Sequence, residues 1–364
     1  MKWIKLIRVS SFIIIINSLI FMILNLTFVF FSPLIMKHMP PAFVQEINTC
    51  HRTFFQSNFK LGSDFVIFHG DSHAEGAGDE FLSGQDSYGL IPKLSKNSAY
   101  NFINFGRSSY GNISTISEGE ACSRLIQRWT LARSINNSTD QVFFLFYEGN
   151  DLNNNLWEMT HTYHNKKKSA AFYEVRFLLP FLEFTFKQLR HIFTLDRNEL
   201  ITEGEANSSN LKYPVSKDGI RLEVETIQAA AVELSAVEIN TSLNILETSL
   251  DTLKNKYSKS ELILIYIPSV ASSYNFEGEI RTQSYVGLDF KNVDAEYNNQ
   301  RSVAIRSRVK ELSKNVGWKF CDTTDEMLAK TKKGIAVHGP LDYKHPNSEG
   351  YKTIVIACKN FLRK

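Results

Sequence analysis

The chain has 364 residues, 43% of them hydrophobic and 22% charged, with a formal net charge of +3 at pH 7. That length accommodates one large α/β domain plus an appendage. Lys2, Lys5 and Arg8 account for all of the net charge, since residues 1–36 hold no acid. The neutral remainder argues against a nucleic-acid partner.

In chain order, the first feature is the uncharged run from Val9 to Met36. It exceeds the roughly 20 residues that span a bilayer and is too long for a signal-peptide apolar core. It predicts a transmembrane anchor rather than a cleaved signal or a buried core helix. The cations before it keep the amino terminus cytoplasmic and place the rest of the chain outside the cytoplasm. Residues 37–63 read as a juxtamembrane connector, and 64–364 as the main domain. Short apolar runs over Asp64–His69, Ala99–Phe105, Gln141–Tyr147, Glu261–Ile267 and Trp318–Asp322 read as buried parallel strands. Helices are expected near 115–134, 226–257 and 298–315, with a closing helix over 348–363. Leu243, Leu246, Leu250, Leu253 and Tyr257 mark one core-facing stripe. This alternation predicts a three-layer, doubly wound sheet of five parallel strands with a helical insertion over about 152–225. The insertion combines aromatics (Phe172 to Phe193) with Lys166–Lys168, and reads either as a lid or membrane-contacting segment or as ordinary packing. Four cysteines, Cys50, Cys122, Cys321 and Cys358, are too scattered for a disulfide scaffold and form no CxxC motif. An exported domain would be able to oxidise some of them, with no pairing assigned.

Three motifs carry chemistry. Gly70-Asp71-Ser72-His73 comes after the run Phe65–Phe68 and presents one serine at a strand end. Gly149-Asn150-Asp151 comes after the run Val142–Tyr147. Asp342-Tyr343-Lys344-His345 places an acid three residues before a histidine. A serine is weakly nucleophilic unless a base takes its proton, and the late histidine supplies one.

These segments resemble the SGNH hydrolases, the family of GDSL esterases and lipases. Gly70-Asp71-Ser72 with Gly76 is similar to its first block. Asn104 to Gly111 is similar to the second, Gly149-Asn150-Asp151 to the third, and Asp342 to His345 to the last. The resemblance spans roughly Asp64 to Phe361, apart from about 152–225. It implies Ser72 as nucleophile, His345 as base and Asp342 as its orienting acid. The oxyanion would be held by the Ser72 N–H, a block-two N–H and the Asn150 amide. The family's block-two glycine falls on Ser109, flanked by Gly106 and Gly111, so the donor there stays open among them. Asp71, Gly106, Gly111, Gly149 and Asp151 are expected in support. Glu148 stands where a second glycine is common, in a position to face the cleft and alter substrate choice; His73 and Glu75 are polar groups beside Ser72, His73 reading chiefly as a turn or helix-start residue and secondarily as a substrate contact.

No cofactor or metal is expected. His161 and His164 lack an acidic or cysteine partner, and Gly76-Ala77-Gly78 lacks the later glycine of a dinucleotide fingerprint. The resulting expectation is a membrane-anchored serine esterase acting on acyl, chiefly acetyl, esters of envelope carbohydrate, alongside polysaccharide-biosynthesis proteins. The alternatives are an O-acetyltransferase modifying a surface polysaccharide, a lipid esterase, and a catalytically inactive glycan-binding protein.

Overall fold

The computed structural model describes residues 15–17, 19, 20, 23, 64–85, 88–95, 100–108, 110–117, 119, 122, 139–161, 213–283 and 290–362. Five strands form one parallel sheet: β1 (Phe65–His69), β2 (Asn101–Asn104), β3 (Thr139–Tyr147), β4 (Glu261–Ile267) and, after a separate hairpin, β7 (Lys319–Asp322). Their order is β2-β1-β3-β4-β7. Counted in chain order this is 2-1-3-4-5, the flavodoxin-like winding, whose switch point lies between β1 and β3. The expected sheet is therefore present, and each expected strand lies within two residues of an observed one.

Both faces of the sheet are buried, which explains why the strands read as unbroken apolar runs. Successive side chains alternate between faces. Phe65 and Ile67 of β1, with Val142, Phe144 and Phe146 of β3, join a core under α5 (Ala236–Lys256) and α6 (Ala295–Asn315). Val66, Phe68, Phe143, Leu145 and Tyr147 turn the other way, onto α3 (Leu90–Ser95) and α8 (Ser348–Cys358). The predicted stripe on α5 is buried. That helix starts ten residues later than expected, because Ser235 and Glu238 form a reciprocal cap. The Glu238 N–H donates to Ser235 Oγ at 3.3 Å, and the Ser235 N–H donates to Glu238 Oε2 at 2.7 Å.

The remaining elements are two one-turn helices, α1 (Ser72–Glu75) and α2 (Asp79–Leu82), and the longer α4 (Asp151–His161) and α7 (Thr324–Thr331). Residues 112–117 are also helical. An antiparallel hairpin of β5 (Glu279–Gln283) and β6 (Phe290–Asp294) stands apart from the main sheet. It was not expected, since β6 is polar and buries only Val293, leaving no apolar run or alternation to mark it.

Among the described residues, no helix is long and apolar enough to cross a membrane. The run 9–36 lies outside them except for 15–17, 19, 20 and 23, which are helical and expose Ile15, Ile16, Leu19, Ile20 and Ile23. The connector 37–63 and insertion residues 162–212, including His164 and the aromatic segment, also lie outside. The insertion's first part packs into the domain. Leu152, Asn153, Asn154, Asn155 and Glu158 of α4 are buried, and Asn155 Nδ2 donates to the Ser242 carbonyl of α5 at 3.3 Å.

Candidate active site

Ser72 lies three residues beyond β1, and Asn150 three beyond β3. Because β1 and β3 pair in parallel, both residues sit at the carboxyl edge of the sheet, beside the switch point. Asp71 turns the chain into α1: its carboxylate accepts the His73 N–H at 2.9 Å. Ser72 thereby becomes the first residue of a one-turn helix that ends at Gly76.

His345 arrives from the far end of the chain. Its Nε2 lies 2.7 Å from Ser72 Oγ, and its Nδ1 lies 2.6 Å from Asp342 Oδ2. The three side chains form one hydrogen-bonded line. The other Asp342 oxygen accepts the backbone N–H groups of Lys344 at 2.8 Å and His345 at 3.3 Å. Burial pushes the Asp342 carboxyl upward, but the His345 hydrogen bond and charge and these two N–H groups outweigh it and hold the group at about 2. Asp342 is therefore an anion fixed against the imidazole.

Two close approaches clamp this loop to the Ser72 turn. The Asp342 N–H donates to Asp79 Oδ1 at 2.7 Å. Gly78 lies so near the His345 loop that a Cβ there would stand 2.5 Å from the Pro346 carbonyl oxygen. Tyr351 of α8 adds a third link, its hydroxyl donating to the Ala77 carbonyl at 2.7 Å. Neither Asp79 nor Tyr351 was singled out in the sequence, where each is one polar residue among many.

Block two lies against α1. Asn104 Nδ2 donates to the Ala74 carbonyl at 2.7 Å, and a Cβ at Gly106 would stand 2.4 Å from the Glu75 nitrogen. The backbone donors of this loop are almost all engaged. The Gly106 N–H goes to Asn104 Oδ1 (2.8 Å), Arg107 to the Gly70 carbonyl (3.0 Å) and Ser108 to Glu75 Oε2 (2.8 Å). Tyr110 goes to the Arg107 carbonyl (3.4 Å) and Gly111 to Glu158 Oε1 (2.8 Å). Gly106 and Gly111 thus support the loop and are spent as oxyanion donors. Ser109 lies outside the described residues.

Three residues expected to face the cleft are buried among protein partners, His73 with its ring centroid 4.9 Å from that of His345. Glu148 is fully buried and accepts from the Tyr266 hydroxyl at 2.5 Å and the Ser269 N–H at 2.9 Å. A buried carboxylate needs such donors, and they lie beneath the sheet edge. Glu75 is buried with Ser108, whose N–H and hydroxyl both donate to it. His73 is 1% exposed, with its Nδ1 3.2 Å from both Asp71 oxygens and its ring stacked on Tyr147 at 3.8 Å between centroids. Burial lowers the His73 pKa, against the opposing pull of the neighbouring Asp71. Asp71 itself is held below the ordinary carboxylate range: burial raises it, and the His73 charge and hydrogen bonds outweigh that.

Gly149 leaves room for the Tyr147 ring, which a Cβ would approach to 2.5 Å. Asn150 is buried, and its carbonyl accepts the Asn154 N–H at 2.9 Å at the start of α4. Asp151 accepts the Tyr147 N–H at 2.9 Å; burial and then the Asp71 charge raise its pKa well above the ordinary value. His161 ends α4.

No family model matches the chain, and no curated protein does. Solved structures do. One is an extracellular lipase from Streptomyces rimosus, at 14% identity and TM-score 0.41, covering 83% of this chain and 100% of that one. Another is an acetylxylan esterase from Geobacillus stearothermophilus, at 13% identity and TM-score 0.37, covering 84% of this chain and 98% of that one.

Proposed function

We propose that the chain is a serine esterase of SGNH type that cleaves acyl esters through Ser72. The observation that carries this reading is the line Asp342–His345–Ser72, with both hydrogen bonds at 2.7 Å or less. As Ser72 Oγ attacks the ester carbonyl, its proton passes to His345 Nε2. Asp342 holds the ring and balances its charge. The proton then goes to the departing alkoxide, leaving an acyl group on Ser72. Water releases that group by the same steps in reverse, with His345 as base. The N–H of Ser72 and the amide of Asn150 are assigned to the oxyanion. Ser109 is the third donor, because its described neighbours have spent their N–H groups.

The substrate is assigned as an acyl, chiefly acetyl, ester of envelope carbohydrate. This assignment rests on placement: the run 9–36, flanked by Lys2, Lys5 and Arg8, would anchor the domain outside the cytoplasm. Since His73, Glu75 and Glu148 are buried, polar contacts to a sugar fall to the partly exposed Ser108, Tyr110 and Tyr343 and the exposed Lys344 beside the triad in sequence. The test is acyl release by the purified chain from acetylated glycans and from long-chain lipid esters, with and without a polysaccharide acceptor. Free acetate independent of acceptor supports hydrolysis. Acetylated acceptor would make the enzyme a transferase, and activity confined to long-chain lipids would overturn the carbohydrate assignment.

A further inference from the structure

Cys321 and Cys358 lie 37 residues apart in sequence, yet their sulfurs are 3.1 Å apart. Cys321 is in β7 at the edge of the main sheet, and Cys358 is the last residue of α8. Both are 1% exposed and belong to the core between that helix and the sheet. Both are free thiols, whereas Cys122 is already disulfide-bonded. α8 is tied to the site in two ways. It begins three residues after His345, and its Tyr351 bonds the turn just beyond Ser72.

We propose that Cys321 and Cys358 are a disulfide-forming site, and that the bond fastens α8 and the His345 loop to the edge strand. At 3.1 Å the sulfurs are already closer than van der Waals contact across a packed interface, and about 1 Å of closure brings them to bonding distance. The oxidant is a low-molecular-weight disulfide such as oxidised glutathione. One cysteine thiolate attacks it, forming a mixed disulfide and releasing one glutathione thiolate. The second cysteine attacks the mixed disulfide and releases the other. Both cysteine protons end on the two glutathione thiols. Burial raises the Cys358 thiol pKa well above its ordinary value, so exchange occurs while the chain folds rather than in the closed protein. The bond does not depend on esterase activity, and stands or falls separately from it.

The test is peptide mapping of the full chain, refolded in a glutathione redox couple, alkylated without reductant and digested. The expected product joins the Cys321 and Cys358 peptides, two hydrogens lighter than their sum, and separates on reduction. Closing a loop of this length should raise Tm by about 5–10 °C. That increment should be missing from the Cys321→Ala/Cys358→Ala double variant, whose remaining redox dependence comes from Cys122. Quantitative alkylation of both thiols in the oxidised wild type would overturn the proposal, as would joining of either cysteine to another. The mass result decides the matter even if the double variant does not fold.

Discussion

Glu75 and Ser108 lock α1, the helix that Ser72 begins, to the block-two loop. The Ser108 N–H donates to Glu75 Oε2 at 2.8 Å, and its hydroxyl donates to the same oxygen. Ser108 is the immediate neighbour in sequence of the proposed oxyanion donor Ser109. Glu75→Ala should lower kcat by up to about 10²–10³, the range for losing one oxyanion donor, while KM changes little. Steady-state kinetics together with a thermal melt separate the cases. A fall in Tm with unchanged kcat would make Glu75 a structural residue only.

His345 and His338 are the two late histidines, and their environments differ. His345 bridges Ser72 and Asp342. His338 is 1% exposed, lies against the Tyr274 hydroxyl at 3.3 Å, and burial pushes its pKa down to about 3. His345→Ala should therefore reduce turnover by several orders of magnitude, and Asp342→Asn by about 10²–10⁴. His338→Ala should affect stability and leave residual turnover near wild type in the folded fraction. The reverse pattern, in which only the His338 variant is damaged, would misplace the base.

Asp342 also makes a pH prediction. Its carboxyl is held at about 2 against the ordinary 3.8. A depressed acid favours folding above its unfolded pKa, and that contribution is lost as pH falls through the folded value. Between roughly pH 4 and pH 2, wild type should lose about 2 kcal/mol that Asp342→Asn never had. Denaturant titrations of both proteins across that window measure it. Parallel curves would show that the carboxyl is not specially stabilised.

The anchor is tested by topology. A reporter fused after Lys364 should behave as exported, with the amino terminus retained inside. Cytoplasmic reporter activity would remove the basis for an envelope substrate.

The sheet and the grouping of Ser72, His345 and Asp342 were legible because their signals are local or strongly typed. Two buried faces make β1, β3 and β4 unbroken apolar runs, and turn residues come after each strand that ends at the cleft. What sequence could not give was the direction of individual side chains. Glu75, Glu148 and His73 are polar residues next to site residues, which suggests a cleft. Each instead is buried against a protein partner, Ser108, Tyr266 or Asp71. The start of α5 was misjudged because Ala229, Ala230 and Ala231 suit a helix, while the Ser235–Glu238 cap fixes its beginning later. The β5–β6 hairpin was missed because β6 buries only Val293.

Ser72 as an activated nucleophile is the central claim, and the most direct measurement is covalent labelling with a fluorophosphonate, located by mass spectrometry. Ser269 is the internal control: it is fully buried, and its hydroxyl lies 2.9 Å from that of Ser272 rather than near a base. The prediction is one label per chain, on Ser72, abolished in Ser72→Ala and retained in Ser269→Ala. A folded Ser72→Ala variant that still labelled and still cleaved ester would contradict it.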